Sequence, residues 1–186
     1  MRAPPGHRDE RFRALFEQTY PAVLGFVQRR TDPDDAQDVA AEAFLVAWRR
    51  FDDVPTRPGD ARAWLFGVAR HCLSNQRRGR NRRDALAVRI ASATPSPGAD
   101  LDDPELVARR IDLAAAWHRL TDAEQEVISL AVFDDLTSPQ AAQVLGTTAA
   151  AYRLRLSRAR RALRDHLDAG HRAPAPAVCT VQEIRS

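Results

Sequence analysis

Six arginines and no acid occupy the stretch Ala149 to Arg164: Arg153, Arg155, Arg158, Arg160, Arg161 and Arg164. A guanidinium is a planar, permanently charged fork, so arginines fanned around a helix can hold phosphate oxygens or pair with guanine edges. That chemistry is polyanion recognition, not bond breaking. The histidines at 7, 71, 118, 166 and 171 lack ligand spacing, no Gly-rich phosphate loop opens a helix, and no Cys or Ser nucleophile pairs with a base. An enzyme, a metal and a cofactor are therefore not expected.

The elements that must position those arginines are legible around them. Thr137 can N-cap a short helix, with Pro139 in its first turn, Gln140 at the capping-box position and Ala141, Ala142, Val144 and Leu145 on its buried side. Gly146 ends it. Thr147 or Thr148 caps a second helix in which Tyr152, Leu156, Ala159 and Leu163 form one apolar stripe, and the two together predict a helix-turn-helix. Its alternative is a solvated basic helix in an ordinary bundle.

Charge is segregated over the rest of the 186 residues. All basic side chains apart from histidine are arginine and the net charge is +3. Yet residues 70–89 hold seven arginines against one acid, and residues 32–60 hold eight acids against three arginines. One region is set to meet polyanion and another is not. Two lone cysteines, Cys72 and Cys179, make neither a disulfide framework nor a metal site, and no signal peptide or membrane-length apolar run is present. A cytosolic, non-membrane chain is expected.

The breakers predict an all-α fold of two small helical domains joined by a flexible acidic linker. Residues 1–8 are expected to be disordered. Residues 9–91 form the first domain: Phe12, Leu15, Phe16 and Tyr20 mark one helix and Pro21 opens another. Asp32 caps the next, with Pro33 at its first position; Ala36, Ala40, Phe44, Ala47, Trp48 and Phe51 line its buried side, leaving Asp35, Asp38, Glu42, Leu45 and Arg49 opposite. A loop from Asp52 to Asp60 leads to a helix from Ala61 to about Arg78 with Leu65, Val68, Ala69 and Cys72 inside. Residues 92–104 are the linker, and residues 105–168 the second domain. Leu106, Leu113, Trp117 and Leu120 give it a lead helix, and Thr121 with Glu124 a capping box for the next, packed through Val127, Ile128 and Ala131. The tail, 169–186, is expected to be mobile or a docking peptide.

Three segments, DAQDVAAEAFLVAWRRF (35–51), ARAWLFGVARHCLSNQRR (61–78) and LTDAEQEVISLAVFDDLTSPQAAQVLG with the arginine helix after it, make the chain resemble a bacterial RNA polymerase sigma factor of the extracytoplasmic-function (ECF) group. The resemblance spans residues 9 to 168, and it implies a promoter-specificity subunit that binds core RNA polymerase and promoter DNA and supports melting of the −10 element, and it adds an anti-sigma factor to the expected partners. It places polymerase docking on Asp35, Asp38, Glu42, Leu45 and Arg49. It assigns the downstream (−10) element, read as single strand, to the Asp52–Asp60 loop with Arg62, Trp64, Arg70, Asn75, Arg77, Arg78 and Arg80. Trp64 is read mainly as packing, with an edge able to stack on a base. The upstream (−35) duplex falls to Thr148, Ala151, Arg153, Leu154, Arg155 and Arg158. Departures from the family pattern are Asn75 for aspartate, Ala151 for threonine and Asp135 for a glycine. The alanine-rich entrance, Ala149 to Ala151, moves guanine contact onto Arg153, Arg155 and Arg158; Arg153 lies partly toward the core and is as well suited to phosphate, so discrimination is expected to rest on Arg155 and Arg158. A stand-alone helix-turn-helix regulator would leave the acidic helix without a role, and a protein-only adaptor would leave both arginine clusters idle.

Overall fold

Pro21 does not open a helix. In the computed structural model, which describes residues 5–80 and 103–172, it lies exposed inside a single helix, α1 (Pro5–Gln28). A mid-helix proline lacks an N–H and crowds the preceding turn, at about 3 kcal/mol. Packing on both sides of it holds the helix together. Upstream, Phe12, Phe16 and Tyr20 meet Phe44 at ring separations of 6.4, 4.8 and 5.9 Å. Downstream, Val23, Phe26 and Val27 are fully buried, and Phe26 stacks on Phe66 at 4.6 Å. α1 also begins at Pro5, inside the stretch expected to be disordered, because the Arg8 guanidinium lies over the Trp48 ring at 5.0 Å and donates to the Trp48 carbonyl at 2.7 Å.

α2 (Pro33–Arg49) follows with Asp32 in extended N-cap geometry and Pro33 in the first turn. Its buried side comprises Ala36, Val39, Ala40, Ala43, Phe44 and Ala47, wider than expected, while Trp48 is 37% exposed. A 3-10 turn at Phe51–Asp53 and the start of α3 (Pro58–Arg80) shorten the expected loop, leaving only residues 54–57 irregular. Ala61, Leu65, Val68, Ala69 and Cys72 are buried as expected.

α4 (Pro104–His118) starts one residue further back than the linker boundary suggests, because Asp103 caps it by accepting from the Glu105 N–H at 2.9 Å. Trp117 and Leu120 are buried, but Leu106 and Leu113 are exposed, since only the end of α4 reaches the core. The Thr121–Glu124 capping box opens α5 (Asp122–Val132). In α6 (Ser138–Leu145) the Thr137 N–H donates to Gln140 Oε1 at 3.1 Å, and Gly146 ends the helix at φ +63°. Asp135 sits at φ +47°, a left-handed conformation that suits the glycine usual there. Thr148 caps α7 (Ala149–Arg172) by accepting from the Ala151 N–H at 3.1 Å. α7 passes the expected boundary at 168, so the described chain ends inside the segment read as a tail. The rest of that tail, most of the linker and residues 1–4 lie outside the described residues.

The two halves share one core. Val127, Leu130, Leu136, Ala141, Ala142, Val144 and Tyr152 from the second half join Val23, Phe26, Ala69 and Leu73 from the first in one buried cluster. Close approach is permitted where α3 carries Gly67: a Cβ there would stand 3.9 Å from the Val144 Cα.

Candidate nucleic-acid and polymerase interfaces

Burial on one side of α2 fixes what the other side presents. Asp38, Glu42, Leu45 and Arg49 are exposed and Asp35 is half-buried, so the five expected docking residues share one accessible face. Leu45 is 57% exposed, and the exposed Trp48 lies one turn on. Together they make an apolar centre rimmed by charge, the composition suited to holding a protein partner. Sequence patterning assigned Trp48 to the core because it falls on the Phe44 stripe. Phe12 and Phe51 fill that interior, with Phe12 meeting Trp48 at 5.0 Å and Phe51 at 5.8 Å.

Phe51 anchors the loop after α2, and Arg50 braces it by donating to Asp53 at 2.8 Å. Its outer residues, 52, 53, 56 and 57, are open to solvent. Trp64 is half-buried against the core, and the Arg50 guanidinium lies 5.8 Å from its ring. Arg62 and Arg70 are half-buried rather than free. Arg62 donates to the Asp135 carbonyl at 3.1 Å, and the Arg70 Nε is buried without a partner. Asn75 is exposed and accepts from Arg78 at 2.6 Å, so the pair presents one charged surface at the end of α3. The Arg77 and Arg80 side chains lie outside the described residues.

On α7, Tyr152 and Ala159 take the core side, the Tyr152 hydroxyl donating to the Val127 carbonyl at 3.0 Å. The arginines divide into two faces. Arg153 is exposed, not turned toward the core, and lines a groove with Ser138, Ser157, Arg160 and Arg164. Arg155 and Arg158 line the opposite side, a cleft of about 440 Å³ shared with Arg70, Asp122, Glu124 and Glu126. Thr148 and Leu154 are exposed at the entrance and Ala151 is half-buried.

Between the halves runs an ion network with no sequence signal. Arg30, 1% exposed, donates to Asp134 at 3.0 Å, Glu126 at 3.3 Å, the Ser129 hydroxyl at 3.3 Å and the Phe26 carbonyl at 2.9 Å. Arg29 also pairs with Asp134. Gln140 completes a second contact, its amide donating to Asp60 at 3.0 Å while its oxygen caps α6.

The segments that carry these surfaces match known families. The Sigma-70 region 2 family model matches residues 15–83, which hold the α2 face and α3, and the Sigma-70 region 4 model matches residues 110–163, which hold the helix-turn-helix. The ECF RNA polymerase sigma factor SigL of Mycobacterium tuberculosis is 30% identical over 153 residues, covering 82% of this chain and 86% of that protein. SigK of Mycolicibacterium vanbaalenii is 29% identical, covering 83% and 81%. The fold matches the sigma factor RpoE of Bartonella quintana, solved with the anti-sigma factor NepR, at a TM-score of 0.63 and 24% identity over 86% of this chain and 98% of that one. It also matches CnrH, solved with the cytosolic domain of CnrY, at 0.57 and 26% over 87% and 90%. The chain belongs to the ECF RNA polymerase sigma factors, which direct core enzyme to promoters and start transcription. Among the described residues no helix is long and apolar enough to cross a membrane.

Proposed function

We propose that the exposed face of α2 docks on core RNA polymerase, with Leu45 and Trp48 as the apolar centre and Asp35, Asp38, Glu42 and Arg49 steering and orienting. The loop after α2 and the arginines of α3 hold the melted −10 strand, with Arg62, Arg70, Arg77, Arg78 and Arg80 on phosphates and Asn75 beside them. α7 enters the −35 major groove, where Thr148, Ala151 and Leu154 meet the groove at its entrance and Arg153, Arg155 and Arg158 reach deeper. The protein works in the cytoplasm as a regulatory subunit without catalysis of its own. An anti-sigma factor is its proposed inhibitor, by analogy with the RpoE–NepR and CnrH–CnrY complexes.

The observation that carries this reading is one chain presenting an acid-rimmed apolar face on α2 apart from arginine surfaces on α3 and α7. A stand-alone regulator has no use for the first. Transcription of genomic DNA by core enzyme, with and without the purified protein, followed by sequencing of RNA 5′ ends, tests it. New start sites sharing paired upstream and downstream motifs are expected. Identical start sites with and without the protein would refute it.

A further inference from the structure

Arg8, Arg11 and Phe12 fall at i, i+3 and i+4, so the first turns of α1 present all three on one face. That face lies over the end of α2. Phe12 meets Trp48 at 5.0 Å and Phe51 at 5.8 Å, both edge to face, while the Arg11 guanidinium stands 5.2 Å from the Phe51 ring. All three residues lie upstream of residue 15, where the match to Sigma-70 region 2 begins.

Arg8 makes two kinds of contact there. Its Nη2 donates at 2.7 Å to the Trp48 carbonyl, which belongs to the last turn of α2, beyond the reach of the helix's own amides. Its guanidinium lies 5.0 Å from the Trp48 ring centre and 5.9 Å from that of Phe51. The Arg8 Nε is buried without a hydrogen-bond partner, so this part of the cation is withdrawn from water, where attraction to a ring face is strongest. One side chain, 40 residues away, thus holds both the backbone and the ring of Trp48.

Trp48 is 37% exposed and shares with Leu45 the apolar centre of the outer face of α2. An indole free to turn about its two side-chain torsions loses that freedom when a partner binds, whereas one already clamped does not. We propose that Arg8 is a positioning residue for polymerase docking, fixing the Trp48 ring in the orientation that core enzyme meets. The proposal rests on the reading of the α2 face as the docking surface. Arginine suits this task and lysine does not, because a planar fork donates hydrogen bonds within its own plane while its flat face lies on a ring.

Fluorine NMR of full-length chains labelled with fluorotryptophan gives one signal for each of Trp48, Trp64 and Trp117, and Trp48→Leu identifies the first by its loss. In Arg8→Met, which removes the cation and keeps an unbranched stem, the Trp48 signal is expected to move and the other two to stay. Competition against wild type for core enzyme should show binding about fivefold weaker, with helix content unchanged by circular dichroism. Trp48→Leu retains an apolar centre without a ring face. In that background Arg8→Met should change core affinity by less than about twofold, because the two side chains act as one unit. If Arg8→Met loses helix content, Arg8→Lys, which keeps the charge and loses the planar fork, decides by the same measurements.

An unmoved Trp48 signal would overturn the positioning role. So would a loss of core affinity as large in the Trp48→Leu background as in wild type, since Arg8 would then act on polymerase without the ring. The docking face and the positioning role fail separately. Core affinity unchanged in Trp48→Leu and in the reversal of Asp38 and Glu42 overturns the docking face and the proposal with it. Affinity lost in those variants but kept in Arg8→Met overturns the proposal alone.

Discussion

Replacing Arg30 with methionine removes the cation at the centre of the boundary between the halves. The side chains of Arg30 and Asp134 are both fully buried and that of Glu126 is 6% exposed. Glu126 already has one oxygen without a partner, and the substitution removes the partner of the other. Asp134 retains Arg29. Breaking a buried pair by deleting one member costs about 3 to 5 kcal/mol, because the surviving charge is stranded away from water. At roughly 2 to 4 °C per kcal/mol for a chain of this size, the melting temperature should fall by roughly 6 to 20 °C. Urea unfolding checks this, followed by helix dichroism and by tryptophan emission, with Trp48 and Trp64 reporting the first half and Trp117 the second. A companion variant, Arg30→Met with Glu126→Leu and Asp134→Leu, strands no charge within the triad and should recover most of the loss, since an apolar replacement of a buried ion cluster is often neutral or better. A loss below about 1 kcal/mol for Arg30→Met, or a companion as unstable as the single variant, would refute the assignment of this network as a buried, mutually dependent set.

Reversing Asp38 and Glu42 to arginine should weaken binding to core enzyme while leaving helix content unchanged, since both side chains point into solvent; competition against wild type for core enzyme measures it, and equal competition rejects the α2 docking face. Alanine at Arg155 or Arg158 should relax preference at one upstream base pair by about 1 to 3 kcal/mol for at least one of the two, whereas alanine at Arg160, in the outer groove, should weaken all promoters alike and lower the salt slope by about one. Proportional weakening by both Arg155→Ala and Arg158→Ala on single-change promoter series would make them phosphate clamps. Burial pushes the Cys72 thiol from its ordinary 9.0 up to about 11, so the folded chain keeps that proton longer than the unfolded one. Stability should therefore fall as pH climbs from 9 through 11, by up to roughly 2 to 3 kcal/mol, and Cys72→Ala should flatten that fall in urea titrations across the window.

What was legible in the sequence was whatever depends on neighbours along the chain. Capping boxes at Thr121 and Thr137, the glycine stop at Gly146 and the α3 stripe through Leu65 and Cys72 are local patterns, and the structure reproduces them. Pro21 misled because a local penalty of about 3 kcal/mol is outweighed by aromatic packing contributed from α2 and α3, which no window around residue 21 contains. Trp48 misled in the opposite direction: it lies on the apolar stripe, yet Phe12 and Phe51 occupy the interior it was expected to fill. Arg153 was placed toward the core on an ideal wheel, but Tyr152 and Ala159 suffice to cover that side. The Arg30 network was invisible because its partners lie 96 to 104 residues away and none carries a pattern of its own.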